Sequence, residues 1–181
     1  RDISWAGSIV TTGGTTYALT LDNFVSGSIT RAISGQSLSI GTVYAASLSM
    51  EIVLPGVSRY ELYGATVTIT GSVNGALDVI PMGSFIISEA MQSADHITIK
   101  AYDNMIKFDD VTFNPSSYTS VQTAYNWLST MCTACGVTLG NTSAQIGVLP
   151  NGLRKIGYAD VVSDVTSWRD VLGYLTAFLG G

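Results

Sequence analysis

The sequence predicts an α+β chain: an antiparallel β-barrel or sandwich over residues 1–113, then a smaller α/β region with two helices over 114–181. Three observations carry this. Between residues 47 and 110 apolar and polar side chains alternate with a period of two, the pattern of half-buried antiparallel strands. Turn signals punctuate that stretch at Pro55-Gly56 and Asn74-Gly75. After Asn114-Pro115-Ser116-Ser117 the apolar spacing changes to threes and fours, the period of a helix with one apolar face.

Taken in chain order, Gly13-Gly14 sits among threonines and reads as a hairpin turn. The strand after it, residues 15–21, sets Tyr17, Leu19 and Leu21 on one face. Residues 33–41 are polar and glycine-bearing, expected as a long loop or a strand edge. Residues 65–70 set Val67 and Ile69 against Thr66, Thr68 and Thr70. Asn74-Gly75 is the strongest hairpin signal, because a type I′ turn needs positive φ at both central residues. Ile97 and Ile99 alternate with Thr98 and Lys100, and Phe85 and Tyr102 are expected in the core. Strand–turn spacing with no helical pattern between argues for a sandwich or barrel.

Beyond the boundary near residues 114–117, Val121, Ala124, Tyr125, Leu128, Met131, Cys132 and Cys135 predict a helix of about four turns, with Ser120 as N-cap and Gly136 just past its end. Trp127 falls off that stripe. Residues 136–159 read as a short strand or loop around Asn151-Gly152. A second helix starts at Ser167, which with Asp170 makes a capping box. Trp168, Val171, Leu172, Leu175 and Phe178 face inward, and Gly180-Gly181 ends it.

Composition narrows the function. At 46% hydrophobic and 12% charged residues, the 181-residue chain can build a sizeable core, which argues against disorder. A net charge of −5 with eight scattered basic residues excludes a non-specific nucleic-acid binder, which needs clustered cations against phosphate. The mean hydropathy of +0.35 invites a membrane reading. Yet no uncharged apolar run approaches the ~20 residues a spanning helix needs; the longest, residues 171–179, is interrupted by Gly173 and Thr176. No signal peptide opens the chain at Arg1-Asp2-Ile3-Ser4. The lack of an initiator Met, and the end at Gly180-Gly181, lead us to expect a piece of a longer protein. Two cysteines are too few for a disulfide scaffold and fit a cytosolic origin.

No constellation points to catalysis, a cofactor or a metal. Cys132-Thr133-Ala134-Cys135 has redox spacing, but it ends a helix, where the dipole disfavours thiolate. With no second cysteine pair and His96 the single histidine, four zinc ligands cannot be assembled. Core packing is the expected role of both thiols. Ser93, Asp95 and His96 are too close in sequence to converge as a triad and read as a polar turn. Asp103, Asp109 and Asp110 match no calcium loop, and an extended backbone would send Asp109 and Asp110 to opposite faces. Turn chemistry is their expected role. The aromatics Trp5, Tyr44, Tyr60, Tyr63 and Trp127 do not all fit core faces and are candidate interface anchors.

A family resemblance rests on three segments. Residues 41–50, GTVYAASLSM, lead through Tyr60-Glu61-Leu62-Tyr63-Gly64-Ala65 into a strand. Residues 81–90, PMGSFIISEA, are followed by Ile97-Thr98-Ile99-Lys100-Ala101-Tyr102-Asp103-Asn104-Met105. Residues 167–175, SWRDVLGYL, begin a helix, and Cys135-Gly136-Val137 closes the earlier one. Together these resemble the N-terminal region of tailed-bacteriophage baseplate hub and tail-associated (tail-tip) proteins. The resemblance implies a β-domain related to tail-tube proteins, closing as a homotrimeric ring around the tail channel. An α/β domain would be inserted beside it, its start supplied by residues 114–181. The implied partners are other tail proteins, the distal tail and tape-measure proteins; the implied location is the virion tail, with the bacterial cytoplasm during assembly. No catalytic residue set is carried over, so the expected role is structural. The alternatives are the N-terminal part of a tail-associated peptidoglycan hydrolase or endopeptidase, and a carbohydrate-binding β-module.

Overall fold

A computed structural model describes residues 3–31, 45–73, 79–118, 120–157 and 165–180. They form two compact units, one from residues 3–31 and 45–104 and the other from residues 105–180.

The first unit is a curled antiparallel sheet. Its strands are β1 (Ile3–Val10), β2 (Thr16–Leu19), β3 (Phe24–Thr30), β4 (Ser47–Val53), β5 (Thr66–Val73), β6 (Ile80–Ser93) and β7 (His96–Tyr102). Their spatial order is β2-β1-β5-β6-β7-β4-β3, every neighbouring pair antiparallel. Consecutive strands β2 and β3 thus lie at opposite edges, joined only by residues 20–23. Laid flat, six interstrand steps would separate them by about 29 Å, whereas such a link reaches about 17 Å at most. The sheet must therefore curl until its edges approach, which makes it a half-barrel. The barrel expectation holds to that extent.

Packing follows the period-two pattern. Leu48, Met50 and Ile52 of β4 are buried, and they oppose Ala101, Ile99 and Ile97 of β7. Val67, Ile69, Phe85 and Ile87 continue the same inner face. Two bulges, at Ile69/Thr70 and Ile87/Glu89, bend the long β6. At the first, Gly83 takes φ +144°, and a side chain there would meet the Phe85 ring at 2.8 Å.

Two strand expectations need correction. The run at 15–21 is shorter, because the Asn23 side chain accepts the Thr20 N–H and donates to the Ala18 carbonyl. That Asx-type turn ends β2 at Leu19 and leaves Leu21 63% exposed in the corner. Tyr102 lies half-buried on the outer face of β7, while Phe85 is in the core as expected. Residues 33–41 and the Asn74-Gly75 turn lie outside the described residues.

The second unit packs α1 (Lys107–Asp110), α2 (Ala124–Ala134), α3 (Ser143–Gly147) and α4 (Trp168–Phe178) with a two-stranded ladder, β8 (Gln122–Thr123) against β9 (Lys155–Ile156). The α4 helix starts on the Ser167–Asp170 capping box the sequence predicts. The other long helix starts later than expected. Pairing with β9 holds residues 122–123 extended, so Thr123, not Ser120, is the N-cap, its hydroxyl accepting the Asn126 N–H. Helix α2 therefore has 11 residues, about three turns.

Starting α2 at Ala124 also reassigns its stripe. Val121 lies outside the helix and is 60% exposed. Ala124, Trp127, Leu128, Met131 and Cys132 then form the inner face, and Trp127 is buried. Residues 136–159 are not strand or loop alone, since they contain α3, started by a Thr142–Gln145 capping box. Phe108 and Phe113 pack in this second core, not the first.

Candidate functional site

The groups nominated by chemistry are dispersed and engaged. Cys132 and Cys135 are buried at the end of α2, and burial pushes both thiols above their usual range. Neither is poised as thiolate. Ser93 and His96 flank a two-residue turn, Ala94-Asp95, between β6 and β7, as expected of a polar turn. The sequence did not indicate that His96 Nδ1 would lie 2.9 Å from Glu51 Oε1 across the sheet.

Asp103 and Asp109 serve separate structural tasks. Asp103 accepts the Ala46 N–H at 2.9 Å, and its own N–H donates to the Ala46 carbonyl at 3.0 Å. Asp109 is held by Arg169 through both Nε and Nη2, the latter also reaching the Met105 carbonyl at 2.7 Å. Asp109 and Asp110 share the short helix α1, so they do not alternate across an extended strand. Among the described residues no three metal-ligating side chains come together.

The aromatics divide. Trp127 is walled by Phe113 and Tyr118 at 6.4 and 5.8 Å between ring centres, and Trp168 stands 4.7 Å from Phe113. This box buries most of Trp127, so it is not the exposed anchor the sequence suggests. Tyr60 and Tyr63 remain exposed; the Arg59 guanidinium lies 4.8 Å from the Tyr60 ring centre. Tyr17, half-buried on β2, donates its hydroxyl to Glu61 at 2.9 Å, and this bond to a carboxylate raises the phenol above its ordinary value. Trp5 is half-buried, and Tyr44 lies outside the described residues.

What chemistry does not supply, the sheet edge does. Among the described residues β3 pairs with β4 alone, so its other edge carries backbone N–H and C=O groups free for another strand. Its sequence, FVSGSIT, holds no charge and no proline, the usual guards of an open edge. Residues 25–28 are exposed. Across the seam, β2 covers only residues 7–10 of β1, so among the described residues no strand pairs with the same edge of residues 3–6. An apolar slot of about 70 Å³ lies in the seam, lined by Trp5, Ile69, Phe24, Gly27, Ser28, Ile29 and Leu48. Sequence reasoning missed this edge; the missing charges in residues 24–30 were the available signal.

No family model and no curated protein matches the chain. Among the solved structures that match in fold is the 43 kDa tail protein of prophage MuSo2 from Shewanella oneidensis, at a TM-score of 0.53 and 17% identity. The fold resembles that of a prophage tail protein. The match covers 96% of this chain and 48% of that one, so this chain spans about half the length of its structural neighbour. No helix among the described residues is long and apolar enough to cross a membrane.

Proposed function

We propose that this chain is a structural component of a phage or prophage tail, and more narrowly part of a tail-tip or baseplate hub that closes a ring around the tail channel. The observation that carries the reading is the fold match to a prophage tail protein over 96% of the chain. The β3 edge supports it: a ring subunit satisfies its open strands with neighbouring subunits rather than water, and closed symmetry uses one such surface repeatedly.

On this reading the half-barrel is related to tail-tube domains, the assembly is a homotrimer, and the partners are distal tail and tape-measure proteins. The protein sits in the virion tail after assembly in the bacterial cytoplasm. It is not an enzyme. What supports that part is that Asp103 and Asp109 are held in hydrogen bonds and that Cys132 and Cys135 are buried.

The test is the solution mass, by light scattering, of the chain at its natural length, together with co-purification with tail components. A trimer that joins them supports the hub. A strict monomer that joins none rejects it.

A further inference from the structure

The second unit carries an exposed apolar knob beside an apolar groove. The knob is the turn between α3 and β9. Val148 and Leu153 are 84% and 80% exposed there, with Leu149 at 41%. An exposed apolar loop is normally loose, but this one is bolted down. Gly152 donates its N–H to the Leu149 carbonyl at 2.9 Å, and a side chain there would fall 2.0 Å from the Ile146 carbonyl oxygen. Asn151, in the left-handed region at φ +59°, donates its side-chain amide to the Phe178 carbonyl at the end of α4.

The groove opens where that helix end lies. It is a cleft of about 350 Å³ whose walls include Trp127, Ile156, Tyr174 and Phe178. Trp127 lies at the floor of the groove, almost wholly buried, and its N–H is already used by the Ile156 carbonyl. Arg154 and Lys155, two of the chain's eight basic residues, stand exposed between knob and groove. Among the described residues neither is in an ion pair.

We propose that this face binds an amphipathic helix of a partner protein, with its apolar side chains in the groove and against the knob and its acidic residues facing Arg154 and Lys155. Concavity favours a helix, whose side chains at spacings of three and four fill such a cleft, over a flat bilayer. The two cations favour an acidic partner surface over a second copy docked about a two-fold axis through them, which would bring like charges together. The surface stands on the second unit alone, whatever assembly the sheet edge joins.

The test uses the full chain and a fluorescein-labelled synthetic amphipathic peptide with Leu and Phe on one face and Glu on the other. A matched peptide carries Lys in place of Glu. Saturable anisotropy with the Glu peptide, weaker with the Lys peptide and weakened by salt, is expected. Arg154→Glu with Lys155→Glu should reduce affinity about three- to tenfold. Leu153→Ser, at an exposed position that leaves the core intact, should reduce it at least about fivefold.

No saturable binding, or equal binding of both peptides, overturns the proposal. So does binding to phosphatidylserine vesicles without peptide binding, which would make the knob a membrane contact. Self-association lost on Leu153→Ser would put a second copy in the groove and would also overturn it.

Discussion

The indole N–H of Trp127 donates to the carbonyl oxygen of Ile156 at 3.1 Å, tying α2 to β9 through one buried side chain. The bond explains why a large aromatic sits in the core with its polar atom satisfied. Trp127→Phe removes the donor and leaves the carbonyl short of a partner, a cost of about 1–3 kcal/mol. Trp127→Ala also empties the aromatic box and should cost about 3–5 kcal/mol. Urea melts at unchanged slope measure both; a loss under about 0.5 kcal/mol for the phenylalanine variant would deny the bond any weight.

Phe85 and Tyr102 lie on β6 and β7 but differ in depth. Phe85 is 2% exposed, and Phe85→Ala should destabilise by about 3–5 kcal/mol. Tyr102 is half-buried on the outer face, so Tyr102→Ala should cost clearly less. Equal losses in parallel denaturant melts would show that the outer face of β7 is covered more fully than the chain itself covers it.

Val25 sits on the open β3 edge and is 49% exposed. Val25→Lys should leave stability within about 0.5 kcal/mol, yet a lysine on an open strand opposes pairing with a neighbour. If the proposed ring forms through this edge, light scattering of the natural-length protein should show a smaller mass for the variant than for the parent. An oligomeric parent whose mass the substitution leaves unchanged would reject β3 as the proposed interface.

Asp170 links folding to pH. Burial alone would raise its carboxyl, but hydrogen bonds from the Ser167 side chain and backbone and from Thr166 outweigh it and hold the carboxyl below its usual range. A group depressed on folding contributes its full stability above the unfolded value, about pH 3.9, and loses it as pH falls through the folded value. Asp170→Asn should therefore flatten the acid limb of the stability profile while changing little of its shape above about pH 5. Thermal melts between pH 2 and 7 provide the comparison, and an acid limb as steep as that of the parent chain would assign it to other carboxylates.

The legible parts of the fold are local ones. Leu48, Met50 and Ile52 alternate with polar neighbours, so a strand with one buried face was readable without knowing its partner. Ser167 and Asp170 sit three apart before an apolar run, and that spacing alone specifies a capping box. Misreadings arose where a distant segment intervenes. The start of α2 is displaced because β9, some thirty residues on, holds residues 122–123 extended. With that start the stripe rotates and Trp127 turns from surface to core.

The candidate site was less legible still. The knob side chains Val148 and Leu153 look like core residues in sequence, because exposure is decided by what else packs there and not by residue type. The β3 edge is open because the chain places β4 on one side of it and, among the described residues, nothing on the other.

The sequence by itself determined the period of β4, β5 and β7 and of the two long helices, the capping at Ser167 and the burial of the two cysteines, because each depends on side-chain direction along a few consecutive residues. The tertiary structure alone decided that β2 and β3, four residues apart, stand at opposite edges of one sheet, and that Asn151 anchors a knob to the end of α4. Such pairings are set by the free energy of closing the whole core, and no local window of sequence contains that sum.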